Sequence, residues 1–155
     1  MDDKLVAGFL KAIREVFHEI GLTIDRICSV TDWDVGANMI ATVGILGDVR
    51  GSILLRLDRQ SARNIVAAML QSMGMEAKRG LALDAEEAGV AEIANQICGR
   101  AITILSGVSL ECDITPPAVI SGSDITSSLP GAATLEYRSV EGPFGKLLVF
   151  LGIKD

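Results

Sequence analysis

The sequence predicts an α/β fold of the α+β type, in which two similar helices pack on a mainly antiparallel sheet. The pattern of each half of the chain predicts a helix, a glycine, a strand of alternating apolar and polar residues, and a hairpin. The second strand of each hairpin follows a glycine, as GSILLRL from Gly51 and as GKLLVFL from Gly145. Strands joined by short turns pair antiparallel. This weak internal repeat therefore favours a pseudo-symmetric domain with two layers.

Length and composition favour one globular domain over residues 1–155. Hydrophobic residues make up 49% of the 155 positions and charged residues 22%, which is typical of a folded chain with a core. No apolar run approaches the roughly 20 residues that a membrane span needs. The acidic start MDDKL does not resemble a signal peptide. We therefore expect a cytoplasmic protein.

Charge and side-chain chemistry exclude several classes of function. The net charge of −6 argues against nucleic acid as a partner, and no basic amphipathic helix indicates a membrane surface. The three cysteines contain no C-x-x-C pair, which fits buried thiols in a reducing compartment. A single histidine, His18, makes a histidine metal site or a Ser-His-Asp triad improbable.

The first half of the chain supplies one helix, two hairpin strands and a second helix. Apolar residues at helical spacing predict a helix from Asp3 to Ile20, ended by Gly21. A short strand from Leu22 precedes a loop around Trp33, which is a packing residue or a partner anchor. The following segments are strands at Met39–Leu46 and Ser52–Leu57, then a helix at Arg59–Met73 capped by Asp58.

The second half begins with a loop at Gly74–Leu83 and a helix from Asp84 to Gly107, capped by Asp84. An alternating strand from Val108 to Ile114 meets Pro116-Pro117, which predicts an edge strand. The remaining segments are a polar loop at Ser121–Gly131 and a hairpin of Thr134–Val140 with Lys146–Ile153. The almost wholly apolar last strand should be central and covered on both faces.

The outer face of the 84–107 helix carries the candidate site. At about 100° per residue, Glu92, Asn95 and Gly99 fall in one arc, with Ala88 beside them. This arc lies opposite the apolar stripe of the helix. Solvated helix faces are usually filled with long polar side chains. A carboxylate and a carboxamide flanked by two very small residues indicate a face that another surface approaches closely.

These residues resemble a family motif. The segment EIAN with a glycine four residues later, followed by DITPP, is similar to the CheX branch of the CheX/CheC/FliY chemotaxis phosphatases, which dephosphorylate CheY. The family motif is Asp or Ser, three residues, Glu, two residues, Asn, and a Pro about two dozen residues on. Glu92 and Asn95 match it, whereas Ala88 departs from the first position. Pro116 and Pro117 fall one or two residues short of the expected spacing.

The resemblance implies roles for these residues. Asn95 would orient the water that attacks an aspartyl phosphate, and Glu92 would pair with a lysine of the response regulator. Ala88 and Gly99 would let the partner approach the helix backbone. Magnesium would belong to the partner, with no cofactor bound by this chain. The family also implies a homodimer joined through sheet edges, and one site per chain, because the first helix offers only Glu15-x-x-His18.

Three alternatives remain open. Ala88 favours a non-catalytic module of the same fold, binding a response regulator or a flagellar-switch component. The chain could also be an acidic partner-binding domain outside chemotaxis. In the simplest alternative, Glu92 and Asn95 are ordinary solvated helix residues.

Overall fold

The computed structural model describes residues 3–30, 37–75, 83–125 and 134–154. It contains three helices and seven strands within these ranges. In chain order they are α1 (Asp3–Glu19), β1 (Arg26–Ser29), β2 (Ala37–Gly47), β3 (Arg50–Leu57), α2 (Arg59–Ser72), α3 (Leu83–Ser106), β4 (Cys112–Ile114), β5 (Ala118–Ile125), β6 (Thr134–Gly142) and β7 (Gly145–Lys154). The expected α+β arrangement of helices and a mainly antiparallel sheet is confirmed.

The sheet is antiparallel throughout and symmetric in its strand order. The order is β1-β6-β7-β3-β2-β4, and β5 also pairs with β2. The two strands that follow the hairpin glycines, β3 and β7, are neighbours at the centre, with Leu54 opposite Phe150. On each side of them lies a hairpin partner, β2 or β6, and then a strand from the other half of the chain. The internal repeat in the sequence therefore corresponds to a pseudo-two-fold arrangement of the sheet.

The prediction that the last strand is central and covered on both faces is confirmed. Val149 and Leu151 of β7 belong to the main core beneath the helices. Leu148 and Phe150 point to the other face, where they join a smaller buried cluster with Leu54. Phe150 also packs edge-on against Tyr137, with ring centroids 4.9 Å apart.

The ends of α1 and α2 follow the predicted signals. Gly21 has φ of 83°, a left-handed conformation that stops α1 at little steric cost. Asp58 caps α2, accepting hydrogen bonds from the Ser61 backbone N–H at 2.7 Å and from its hydroxyl at 3.0 Å. The Ser61 hydroxyl in turn accepts from the Lys146 N–H at 3.0 Å, so this cap also ties α2 to the start of β7.

Helix α3 is the longest element, with 24 residues. It begins at Leu83, so Asp84 lies inside the first turn rather than before it. The prediction that Asp84 is the N-cap is therefore wrong, although an acidic side chain in the first turn still favours the helix dipole. No helix among the described residues is long and apolar enough to cross a membrane.

Two predicted segments are corrected by the sheet. The strand expected from Val108 is only three residues long, Cys112–Ile114, because a turn with Ser109 at φ of 66° follows α3. The polar segment expected as a loop from Ser121 begins instead as the second half of β5, which pairs with β2. Polar residues are tolerated in this part of β5 because Gly122 and Ser123 are exposed on an edge strand.

The edge prediction at Pro116-Pro117 is confirmed. Both prolines lie between β4 and β5, which pair successively with the same strand, β2. Their missing N–H groups are compatible with an edge. The expected loop around Trp33, most of the loop before α3 and the end of the predicted 121–131 loop lie outside the described residues.

Candidate functional site

A shallow cleft of about 590 Å³ separates the outer side of α3 from the junction between β4 and β5. Its helix wall and its strand wall come from segments that are about twenty residues apart in sequence. The residues that line it are Ala88, Ala91, Glu92, Asn95, Ile114, Thr115, Pro116 and Pro117. Three of the four predicted site residues, and both prolines, therefore meet at one surface feature.

Glu92 and Asn95 are exposed on adjacent turns of α3. At this helical spacing their Cβ atoms lie about 5–6 Å apart. The Gln96 side chain donates a hydrogen bond of 3.1 Å to the Glu92 carboxylate, which restrains its position. Within the described residues no group hydrogen-bonds the Asn95 carboxamide, so its donor and its acceptor are both available at the cleft.

Ala88 forms the first part of the helix wall, and its side chain is exposed. It contributes no polar group near Glu92, which leaves Gln96 as the residue that holds that carboxylate. Gly99 does not line the cleft. A Cβ atom built on Gly99 would have no neighbour within 4 Å, so the surface over this turn of α3 is open. The predicted face with very small side chains therefore extends beyond the cleft toward the end of the helix.

The opposite wall is fixed to the sheet by Thr115. Its backbone N–H donates to the Gly44 carbonyl at 3.0 Å, and its hydroxyl accepts from the Gly44 N–H at 2.8 Å. A Cβ atom on Gly44 would lie 2.9 Å from the Thr115 methyl group, closer than side chains normally tolerate. The glycine in β2 thus permits the close approach that holds the rim formed by Pro116 and Pro117.

The back of α3 is clamped to α1 by one arginine. Arg100 forms ion pairs with Glu19 at 2.7 Å and with Glu15 at 3.3 Å. The hydrogen bonds that Arg100 donates to Glu19 and Glu15 raise the pKa of Arg100, and the bond to Glu19 lowers the pKa of that carboxyl. Glu15 is therefore engaged in this clamp and is not a free counterpart of Glu92 on the first helix.

The start of α3 is fixed by a buried carboxylate. Glu86 is fully buried, and its two oxygens accept hydrogen bonds from Arg59 at 3.2 Å and from Arg63 at 2.7 Å, both on α2. An acidic residue in the first turn of a helix ordinarily only favours the helix dipole. The pairing holds α3 against α2 and so fixes the orientation of the face that carries the cleft.

Sequence reasoning missed three of the lining residues. Ala91 and Ile114 carry no polar group that would indicate a site, and Thr115 is the residue before two prolines. A usable signal existed only for Thr115, because the residue before proline is extended and its hydroxyl can hydrogen-bond locally. Among the residues that the structure describes, no cluster of His, Cys, Asp or Glu could hold a metal ion.

Comparison with solved structures defines the class of fold. The chemotaxis protein CheX from Desulfovibrio desulfuricans superposes with a TM-score of 0.81, at 22% identity over 97% of this chain and 99% of that one. CheX in the CheX-CheY-BeF3-Mg+2 complex from Borrelia burgdorferi superposes with a TM-score of 0.75, at 23% identity over 97% of both chains. The fold is therefore that of the CheX/CheC-like proteins.

Sequence comparison identifies the family. The "CheY-P phosphatase CheX" of Thermotoga maritima is 26% identical over 129 residues, covering 81% of this chain and 80% of its own. The family described as "Chemotaxis phosphatase CheX" matches residues 39–136, a segment that includes α3 and both prolines. The chain belongs to the chemotaxis phosphatase CheX family.

Proposed function

We propose that this chain accelerates hydrolysis of the aspartyl phosphate of a CheY-type response regulator. The observation that carries the proposal is the placement of Glu92 and Asn95 side by side at an open cleft on a rigid helix. The relative from Thermotoga maritima is named for the same activity. A protein substrate requires an exposed site of this kind, because the phosphate arrives on a folded surface rather than as a small molecule.

Asn95 orients the attacking water. An aspartyl phosphate is a reactive mixed anhydride, and its transfer is controlled by positioning and by stabilisation of charge. A carboxamide can accept a hydrogen bond from water and donate one to a phosphoryl oxygen. Because it is neutral, it does not repel the phosphoryl group as a carboxylate would. The lack of a competing partner for Asn95 within the described residues leaves it free for this task.

Glu92 sets the register of the complex by pairing with a lysine of the regulator. The hydrogen bond from Gln96 restrains the carboxylate without neutralising it. Its negative charge thus remains available for an ion pair with the partner. In this assignment Glu92 contributes mainly to affinity, while Asn95 contributes to the rate of hydrolysis.

The magnesium ion of the reaction is held by the regulator. The complex from Borrelia burgdorferi contains CheX, CheY, BeF3 and Mg+2 together. This chain then supplies only the water-orienting carboxamide and the docking carboxylate. Ala88 and Gly99 let the loops of the regulator approach the backbone of α3.

The test is the lifetime of a phosphorylated CheY-type regulator in the presence of native protein, Asn95→Ala and Glu92→Ala. We expect Asn95→Ala to lower kcat by about two orders of magnitude, which is typical of a lost positioning group. Glu92→Ala should mainly raise KM. Equal activity of native protein and Asn95→Ala would refute the assignment.

Ala88 supports the alternative of a non-catalytic module. The family motif has Asp or Ser at this position, and the side chain here cannot hydrogen-bond to Glu92. If the native chain binds a phosphorylated regulator without shortening its lifetime, recognition without hydrolysis is the function. An Ala88→Asp variant that gains hydrolysis would then identify this residue as the cause.

The protein also forms a homodimer in this proposal, paired through the exposed edge of β5. That strand is eight residues long, and long open edges are usually covered in native proteins. It also exposes Ile120, an apolar side chain that is 59% accessible. Sedimentation should give twice the chain mass of 16.4 kDa, and Ile120→Lys should give monomers. The matched control Leu135→Lys, which changes another exposed apolar residue, on β6, should remain dimeric.

A further inference from the structure

The exposed side of α1 repeats the geometry of the candidate site with different chemistry. Four exposed residues, which we call the basic stripe, follow one another at intervals of four, three and four positions. They are Ala7, Lys11, Arg14 and His18. The same intervals separate Ala88, Glu92, Asn95 and Gly99 on α3. Lys11 therefore corresponds to Glu92, and Arg14 corresponds to Asn95.

The two faces lie on neighbouring helices and point away from the sheet. Gly8 of α1 packs against Leu105 of α3, while Glu15 and Glu19 reach Arg100, so the helices run antiparallel. The inner residues of both helices belong to the main core beneath them. A folded partner that sits on the outer side of α3 therefore stands next to the outer side of α1.

The charges of the basic stripe are unpaired in the part of the chain that the structure describes. Among the described residues, neither Lys11 nor Arg14 forms an ion pair, whereas Arg100 is neutralised by two carboxylates. Both cations are exposed, on a chain whose net charge is −6. An uncompensated cationic stripe beside a site that carries a carboxylate creates a local field opposite to that of the whole molecule.

We propose that the basic stripe is a docking surface for the acidic surface around the phosphorylated aspartate of the response regulator. This inference rests on the proposed function. A phosphoryl group on a carboxylate-bearing surface is anionic, and the overall charge of this chain would repel it. A cationic stripe next to the site offsets that repulsion and steers encounter, which raises association rates by 10- to 1000-fold in general. The stripe affects KM and not the hydrolytic step.

The test reverses two charges on the stripe and two charges elsewhere. Lys11→Glu/Arg14→Glu changes the net charge by −4, from −6 to −10. Arg50→Glu/Lys154→Glu makes the same change on the sheet, where these two exposed residues are opposite each other in register on β3 and β7. Any effect of total charge alone appears equally in both variants.

We expect the stripe variant to raise KM for the phosphorylated regulator about tenfold at low salt, with kcat unchanged. The control variant should change KM less than about twofold, and added salt should narrow the difference. Equal KM values for the two variants, or no rise in either, would overturn the proposal. The proposal would also be overturned if the native protein bound phosphatidylglycerol vesicles through the stripe while reversal of the stripe charges left KM for the regulator unchanged.

A binding measurement separates this inference from the proposed function. The Kd for beryllofluoride-treated regulator is measured for the native, stripe and control proteins without any hydrolysis. If stripe reversal raises the Kd but the native protein does not hydrolyse the phosphate, the docking surface stands and the proposed phosphatase activity is wrong. Hydrolysis lost in Asn95→Ala but a Kd unchanged by stripe reversal would retain the phosphatase and reject the docking surface. No binding by any protein would reject both.

Discussion

Replacement of Gly99 should make the protein more stable and less active. Gly99 is in the interior of α3, where glycine costs about 1 kcal/mol relative to alanine. A Cβ atom added there meets no atom within 4 Å, so no steric penalty offsets this gain. Gly99→Ala should therefore raise the free energy of unfolding by about 1 kcal/mol, or Tm by about 2–4 °C for a chain of this size.

Gly89 is the matched control on the same helix. A Cβ atom there would lie 2.6 and 2.7 Å from the two methyl groups of Val66 on α2. Valine in a helix has few alternative rotamers, so the helices themselves must move. Overpacking of this kind costs about 1–3 kcal/mol, which exceeds the gain in helix propensity. Gly89→Ala should therefore destabilise the protein by about 1 kcal/mol.

The assay for both variants is thermal or urea unfolding, combined with regulator dephosphorylation. Gly99→Leu should keep the stability gain while raising KM about tenfold, equivalent to 1.4 kcal/mol, because its side chain occupies space that the partner needs. A Gly99→Ala protein with lower Tm than native would refute the open-face geometry. A stable Gly99→Leu protein with native KM would show that the partner does not approach this turn.

Three further predictions concern the packing around α3. Glu86→Ala should lower the free energy of unfolding measured in urea by about 1–3 kcal/mol, because it removes a buried carboxylate that accepts hydrogen bonds from two half-exposed arginines, whereas Glu86→Gln should cost less. The ion pair with Arg100 lowers the pKa of Glu19 in the folded protein, so its stabilising effect is present above the pKa of Glu19 in the unfolded chain and is lost as the pH falls through the folded value. Arg100→Met removes this effect, and its Tm should therefore drop less than the Tm of native protein between neutral and acid pH. Burial raises the pKa of Cys98 to about 12, so its thiol should react with a thiol reagent at mildly alkaline pH only after global unfolding, later than the other two cysteines. Labelling of all three thiols at one rate would contradict that burial.

The helices and hairpins were predictable because their signals are local. Apolar spacing and Gly21 defined α1, and Asp58 defined the start of α2. The apolar character of the last strand predicted that β7 is central, whereas its pairing with β3 was not predicted. Its register depends on contacts between residues almost one hundred positions apart, which no local pattern reveals.

The candidate site was predictable on its helix side and not on its strand side. A helical arc brings Glu92 and Asn95 together regardless of the rest of the fold. The opposite wall depends on Thr115 reaching Gly44, a contact across 71 positions of sequence. The buried pairing of Glu86 was missed for the same reason, because its two arginines lie on another helix. The local pattern of residues thus predicts which side chains share one face of a helix, whereas tertiary packing determines which helix and strand faces contact each other.

The role of Asn95 in hydrolysis is tested by the rate at which a phosphorylated CheY-type regulator loses phosphate in the presence of the Asn95→Asp variant. This change keeps the shape of the side chain, so binding through Glu92 remains possible. It replaces a neutral hydrogen-bond donor and acceptor with an anion that cannot donate. Thr103→Ala, at an exposed position on the same helix, is the control. We expect native rates for Thr103→Ala and a loss of about 100-fold in kcat for Asn95→Asp. A native rate with Asn95→Asp would show that Asn95 does not orient the attacking water.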